Sequence, residues 1–154
     1  MPPVAARNKT RVRTVTAFPV FSETDWQALT AYSRPVECQV GVTLFAEGDV
    51  SDGLYFLLSG KFAVQKQGDR LGKVQTVALL SGGSVAGEGA MAGILRRRAS
   101  LVCLEAGSVL FVSLADHARL AEENPRLCLV LAHYLLRIAS LRLGASSDRL
   151  AVLL

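Results

Sequence analysis

From Val36 to Val112 apolar and polar residues alternate in short runs, and turn residues break the runs at regular spacing: Gly41, Gly48-Asp49, Ser59-Gly60, Gly68-Asp69 and Ser81-Gly82-Gly83. A period of two marks strands with one face buried, and glycine between them marks tight reversals. The pattern predicts eight strands, near 36–40, 42–46, 53–58, 61–67, 73–80, 84–86, 98–104 and 108–113. Many short strands without intervening helical stretches predict a mainly β fold, an eight-stranded jelly roll or β-roll, rather than a parallel sheet.

Helical signals flank this region. Ser22 is a capping residue with Asp25 three positions on, and Phe21 is placed to staple against Trp26, so a short helix is expected to about Tyr32. Pro35 prevents its continuation. Two C-terminal helices follow the strands. One is expected from about Ala115 to Glu122, and the other opens at Asn124-Pro125 and runs to about Leu143, with Gly144 as its stop. This divides the chain into a basic lead-in over 1–16, a folded domain over 17–143 and a C-terminal stub over 144–154.

The last long helix carries Leu127, Leu131, Tyr134, Ile138 and Leu141 at heptad spacing. Leu129, Val130, Leu135, Leu136 and Leu143 widen its apolar surface beyond one face. Such a helix is expected to lay one side on the roll and the other on a second subunit, making a homodimer through 125–143.

Composition narrows the function classes. Just over half of the 154 residues are apolar, but the longest apolar run, Leu127 to Leu136, is too short to cross a bilayer, which takes about 20 residues. The net charge of +4 resides in Arg7, Lys9, Arg11 and Arg13, and the rest of the chain is balanced. A charge-neutral folded part with no helix-turn-helix segment argues against reading DNA. Cys38, Cys103 and Cys128 are odd in number and in no metal spacing, which suits reduced thiols and a cytoplasmic protein. His117 and His133 both lie on the late helices, so a metal-dependent jelly-roll enzyme lacks its ligands; no cofactor and no catalysis are expected.

The chemistry concentrates in GSVAGEGAMAGILRRRASLVC, from Gly83 to Cys103. Small residues from Ala86 to Gly93 let a ligand approach the backbone, and a helical turn there would offer free N–H groups to an anion. Arg96, Arg97 and Arg98 begin the next strand, where Arg97 points opposite to its neighbours. An inward arginine suits a bidentate phosphate clasp, and Glu88 suits a sugar hydroxyl.

Two stretches together resemble the cyclic-nucleotide-binding domains of catabolite activator protein, protein kinase A regulatory subunits and nucleotide-gated channels. The first is Leu44-Phe45-Ala46-Glu47-Gly48-Asp49 with Asp52, Tyr55-Phe56-Leu57-Leu58 and Gly60. The second is Gly87-Glu88-Gly89-Ala90-Met91, five spacer residues, then Arg97-Arg98-Ala99-Ser100-Leu101, similar to that family's phosphate-binding cassette. The resemblance implies a regulatory module binding a cyclic nucleotide, cyclic AMP ahead of cyclic GMP. In it Glu88 receives the ribose 2′-hydroxyl. Arg97 neutralises the phosphate, helped by the amides of Gly89 and Ala90, and Ala99 packs behind the ligand. The helix after the roll lids the ligand, with Tyr134 or Arg137 as the stacking candidate. Ala86, Gly89 and Arg98 depart from the family's pattern. Arg98 replaces a small residue, where it adds a phosphate contact or fills the base site. The alternative is a degenerate roll that binds no nucleotide and serves protein contact and dimerisation. No output domain or effector partner can be read from the chain.

Overall fold

In a computed structural model of the chain, residues 18–69 and 72–153 are described; the expected lead-in over 1–16 lies outside them. The first helix, α1 (Glu23–Thr30), starts where the capping signal places it. The Ser22 hydroxyl accepts the Asp25 N–H at 3.1 Å, and the Phe21 ring sits 5.9 Å from Trp26, centroid to centroid. Eight strands follow: β1 (Arg34–Cys38), β2 (Thr43–Phe45), β3 (Gly53–Leu57), β4 (Lys61–Gln67), β5 (Val74–Ser81), β6 (Ser84–Ala86), β7 (Ser100–Glu105) and β8 (Gly107–Ser113). A five-residue 3-10 turn, Glu88–Ala92, interrupts them, and α2 (Leu114–Glu123) and α3 (Pro125–Leu153) close the chain.

The strands form two four-stranded antiparallel sheets, ordered β1-β8-β3-β6 and β2-β7-β4-β5, which is the expected β-roll. The inner strands of the first sheet, β3 and β8, are buried on both faces. On β3, Leu54 and Phe56 face the helices while Tyr55 and Leu57 face the second sheet; on β8, Leu110 and Val112 alternate with Val109 in the same way. One core therefore lies between this sheet and the helices, around Phe18, Phe21, Trp26, Leu120, Leu127 and Leu131. The other lies inside the roll, around Cys38, Leu57, Phe62, Leu101 and Cys103. Double burial explains why β3 and β8 read as near-continuous apolar runs, while β5, at the edge of the second sheet, is largely exposed. All three cysteines are free thiols.

Both late helices are capped, the second at Asn124 as expected. The Ser113 hydroxyl accepts the Asp116 N–H at 3.0 Å, and the Asn124 side-chain oxygen accepts the Leu127 N–H at 3.2 Å beside Pro125 in the first turn. Arg126 reaches back to the Asp25 carboxylate, Nη1 to Oδ2 at 3.2 Å, and this pairing holds that carboxyl below its ordinary range. It ties the start of α3 to α1.

Two expectations about α3 are corrected. Gly144 does not end it: the helix runs unbroken to Leu153, so the segment read as a separate stub continues it. An exposed glycine costs a helix only about 1 kcal/mol, and here it stands between leucine and alanine in a chain of good helix formers. The stretch Pro125–Asp148 is thus long and apolar enough, by length and composition alone, to cross a membrane. Its inner side nevertheless packs on the roll through Leu127, Leu131 and Leu135. The heptad seam, expected to face a second subunit, faces the chain's own core except at Leu141, which is exposed. Leu127 and Leu131 are fully buried in the chain's own core, and Tyr134 and Ile138 pack against it. The unpartnered side carries Leu129, Leu136 and Leu143, which are 56%, 66% and 69% exposed.

Leu131→Asp is therefore expected to lower stability by about 3 kcal/mol or more, through lost packing and a buried charge. Leu136→Asp is expected to keep the native circular dichroism spectrum at 25 °C. Urea titration of the two variants reads the difference.

Candidate functional site

The two sequence stretches that carry the chemistry lie against each other. The loop after β2 runs antiparallel to residues 95–97. The Gly48 N–H donates to the Arg97 carbonyl at 2.8 Å, the Arg97 N–H to Asp49 at 2.8 Å, and the Ser51 N–H to Leu95 at 2.9 Å. Gly48, at φ +90°, makes the turn that allows this approach. The Asp49 carboxylate accepts the Ala46 N–H at 3.0 Å and braces that turn.

This short ladder aims Arg97 inward. The three arginines do not begin a strand, since β7 starts at Ser100, but the bridge to the Gly48-Asp49 loop gives the expected facing: Arg97 is buried, only 4% exposed, while Arg96 and Arg98 are exposed. Its Nη2 donates to Asp52 Oδ1 at 2.9 Å and to the Gly53 carbonyl at 2.8 Å, and Nη1 donates to the Gly87 carbonyl at 3.4 Å. The guanidinium lies 4.2 Å from the Phe45 ring centroid and 5.9 Å from that of Tyr55. Burial, reinforced by the Asp52 charge, pushes the Tyr55 hydroxyl above its ordinary pKa. One donor is left over: Arg97 Nε is buried and has no acceptor among the described residues. Gly87 is required here. It sits at φ +76°, and a Cβ on it would come within 2.3 Å of Arg97 Nη1.

A cavity of about 370 Å³ opens over this arrangement. Of the residues expected at a ligand site, Gly87, Glu88, Gly89, Arg97, Arg98 and Ala99 line it. Apolar walls come from Phe45, Val64, Leu80 and Ile94. Two expected residues stand elsewhere. Ala90 is buried inside the 3-10 turn, where its N–H already donates to the Gly87 carbonyl at 3.2 Å. That amide is not free for an anion. Tyr134 does not reach the cavity; its ring meets Phe21 edge-on at 5.8 Å in the helix-side core, and burial raises its phenol pKa.

The residue that α3 sends to the cavity is Arg142, which the sequence reading passed over. Its Nη1 donates to Glu88 Oε1 at 2.6 Å and its Nη2 to the Val85 carbonyl at 2.6 Å. A signal was present: Tyr134, Ile138 and Arg142 follow at intervals of four, so Arg142 shares the roll-facing side two turns on. Glu88, expected to meet a sugar hydroxyl, is thus held by a cation of the chain itself.

His117 contacts Cys128, Nε2 to Sγ 3.7 Å, and burial lowers its pKa. Neither residue lines the cavity. Among the described residues no group of three His, Cys, Asp or Glu side chains gathers as a metal centre would require.

The sequence profile of the cyclic nucleotide-binding domain matches residues 35–124. No curated protein sequence matches the chain. Among solved structures, a cyclic nucleotide-binding domain from Methylobacillus flagellatus is 25% identical. It superposes with a TM-score of 0.81 over 92% of this chain and 82% of its own. The catabolite activator protein of Thermus thermophilus is 28% identical with a TM-score of 0.67, over 82% of this chain and 61% of its own. The regulatory domain of Toxoplasma gondii PKA, solved with cAMP, shares the fold at 18% identity and a TM-score of 0.62, covering 77% of this chain and 46% of its own.

Gly87→Ala is expected to displace the Arg97 guanidinium and, with the strain of a positive φ, to cost about 1–2 kcal/mol of stability. A urea melt measures the cost; an unchanged midpoint contradicts the tight approach.

Proposed function

We propose that this chain, which belongs to the cyclic nucleotide-binding domain family, is a regulatory module that holds a cyclic nucleotide in the cavity between Glu88 and Arg97, cyclic AMP ahead of cyclic GMP. The observation that carries the reading is the convergence on one cavity of a fixed arginine fork, a carboxylate and a glycine-rich turn, Gly87–Gly89. Arg97 is already oriented by Asp52 and Gly53, so a phosphate meets a fork with little freedom left to lose. Its unpartnered Nε supports the same reading, since a buried donor without an acceptor gains from a phosphate oxygen. The ribose hydroxyl falls to Glu88, and Arg142 must yield or share that carboxylate when the sugar arrives.

The module acts by binding, not by catalysis, and works in the cytoplasm, where its three free thiols stay reduced. It reads no DNA through the residues described. Its long helix stays on the roll through Leu127, Leu131 and Leu135 rather than entering lipid. The second reading, a roll that has given up its nucleotide, draws on Arg142 filling the sugar-binding carboxylate and on Arg98 lining the cavity.

Titration calorimetry with cyclic AMP and cyclic GMP separates the two. Arg97→Ala, checked for fold by circular dichroism, is expected to cost about 2–3 kcal/mol of binding through loss of a charge-assisted fork. Absence of heat with either nucleotide on the wild type favours the degenerate roll, and equal affinity of the folded variant and wild type removes Arg97 from the site.

The homodimer is also proposed, now through the outer side of α3. Leu129, Ala132, Leu136, Ala139 and Leu143 follow at intervals of three and four, and the structure leaves this stripe in water. Leu129→Asp with Leu136→Asp is expected to turn a dimer into a folded monomer in light-scattering chromatography. A monomeric wild type at high micromolar concentration overturns the dimer.

A further inference from the structure

The cavity's charges do not balance, and the imbalance points to the class of ligand. Four arginines line it, Arg96, Arg97, Arg98 and Arg142, against one carboxylate, Glu88. Two of the cations are neutralised by the chain. Arg97 pairs with Asp52 at 2.9 Å, and Arg142 pairs with Glu88 at 2.6 Å. The other two are not. The Nη1 of Arg96 has only the neutral Gly48 carbonyl, at 3.4 Å, and Arg98 has no hydrogen-bonding or ionic partner among the described residues. Both are exposed residues of the same cavity in which Arg97 is buried, so they form its outer wall while Arg97 forms its inner one.

We infer that Arg96 and Arg98 make a second anion subsite at the mouth of the cavity, and that the preferred ligand is a nucleotide carrying two negative charges. The inference rests on the nucleotide reading of the cavity given above. A cyclic mononucleotide carries one phosphodiester charge. With that charge on the inner fork, the outer pair keeps no counter-charge and loses some of its water to the bound base. A dianion satisfies both walls. Attraction between a phosphate and an arginine at a partly enclosed site is several times stronger than in open water, so the second charge is felt in affinity. The space permits two sources of such a ligand. A linear nucleoside monophosphate, dianionic at pH 7.5 because its second pKa is near 6, fits within about 370 Å³ as one nucleotide, and its single phosphate meets both walls only by lying between the inner and outer arginines. A cyclic dinucleotide places one phosphodiester on Arg97 and its second at the open mouth.

The test is titration calorimetry of the full chain at pH 7.5 with cyclic AMP, 5′-AMP and cyclic di-GMP, at two salt concentrations. At least one dianion is expected to bind about tenfold more tightly than cyclic AMP, with a steeper loss on raising salt. Which of the two does so identifies the source. Arg98→Ser, with its fold checked by circular dichroism, is expected to reduce that preference to about twofold, and Arg98→Lys to restore most of it. Cyclic AMP binding as tightly as both dianions, or a preference that survives Arg98→Ser unchanged, overturns the second subsite while leaving the nucleotide cavity standing. Absence of binding by all three, on a folded wild type, overturns the subsite and the nucleotide reading together.

Discussion

Arg97 is a cation inside the wall of an apolar roll, and such a charge is tolerated when a counter-charge and well-placed acceptors take most of its donors. Asp52 supplies the charge, and the carbonyls of Gly53 and Gly87 supply two acceptors. These partners come from the start of β3 and the end of β6, which pair within one sheet. The backbone of Arg97 is meanwhile clipped to the Gly48-Asp49 turn. One side chain thus fixes the relative position of three segments far apart in sequence. The absence of a side chain on Gly87 is part of the same constraint, since the guanidinium occupies the space a methyl group would need.

The first sheet links this centre to the helices. Val85 and Ala86 are neighbours on β6 and point to opposite faces, Val85 into the helix-side core and Ala86 into the roll. The chain then passes directly into Gly87 and Glu88 at the cavity wall. Arg142 closes the circuit from the other side, holding both the Val85 carbonyl and the Glu88 carboxylate from α3. On the reading proposed above, a ligand that takes Glu88 competes with Arg142, one anchor of the long helix beside its packing through Leu127, Leu131 and Leu135.

Much of the roll was legible because its punctuation is chemical. Glycines at Gly41, Gly48, Gly60 and Gly83 adopt positive φ in the turns between strands, and Ser22 and Asn124 cap helices through their own oxygens. These are local preferences that act before any tertiary contact forms. The end of α3 was not legible for the complementary reason. Gly144 is a weak local stop, and continued helical hydrogen bonding outweighs it.

By itself the sequence determined the eight strands, the caps, and the pairing of a glycine-rich turn and a carboxylate at Gly87-Glu88 with an arginine nine residues past that carboxylate. It did not determine which side of α3 meets the roll. Two apolar stripes run along that helix, through Leu127 and Leu131 and through Leu129 and Leu136, and periodicity ranks neither. Only packing against Phe56, Leu110 and their neighbours selects the first. That choice of rotation, with the helix length beyond the expected stop, puts Tyr134 in the core and Arg142 on Glu88. Contacts between residues 54 positions apart depend on how two finished elements dock, and no local preference encodes that distance.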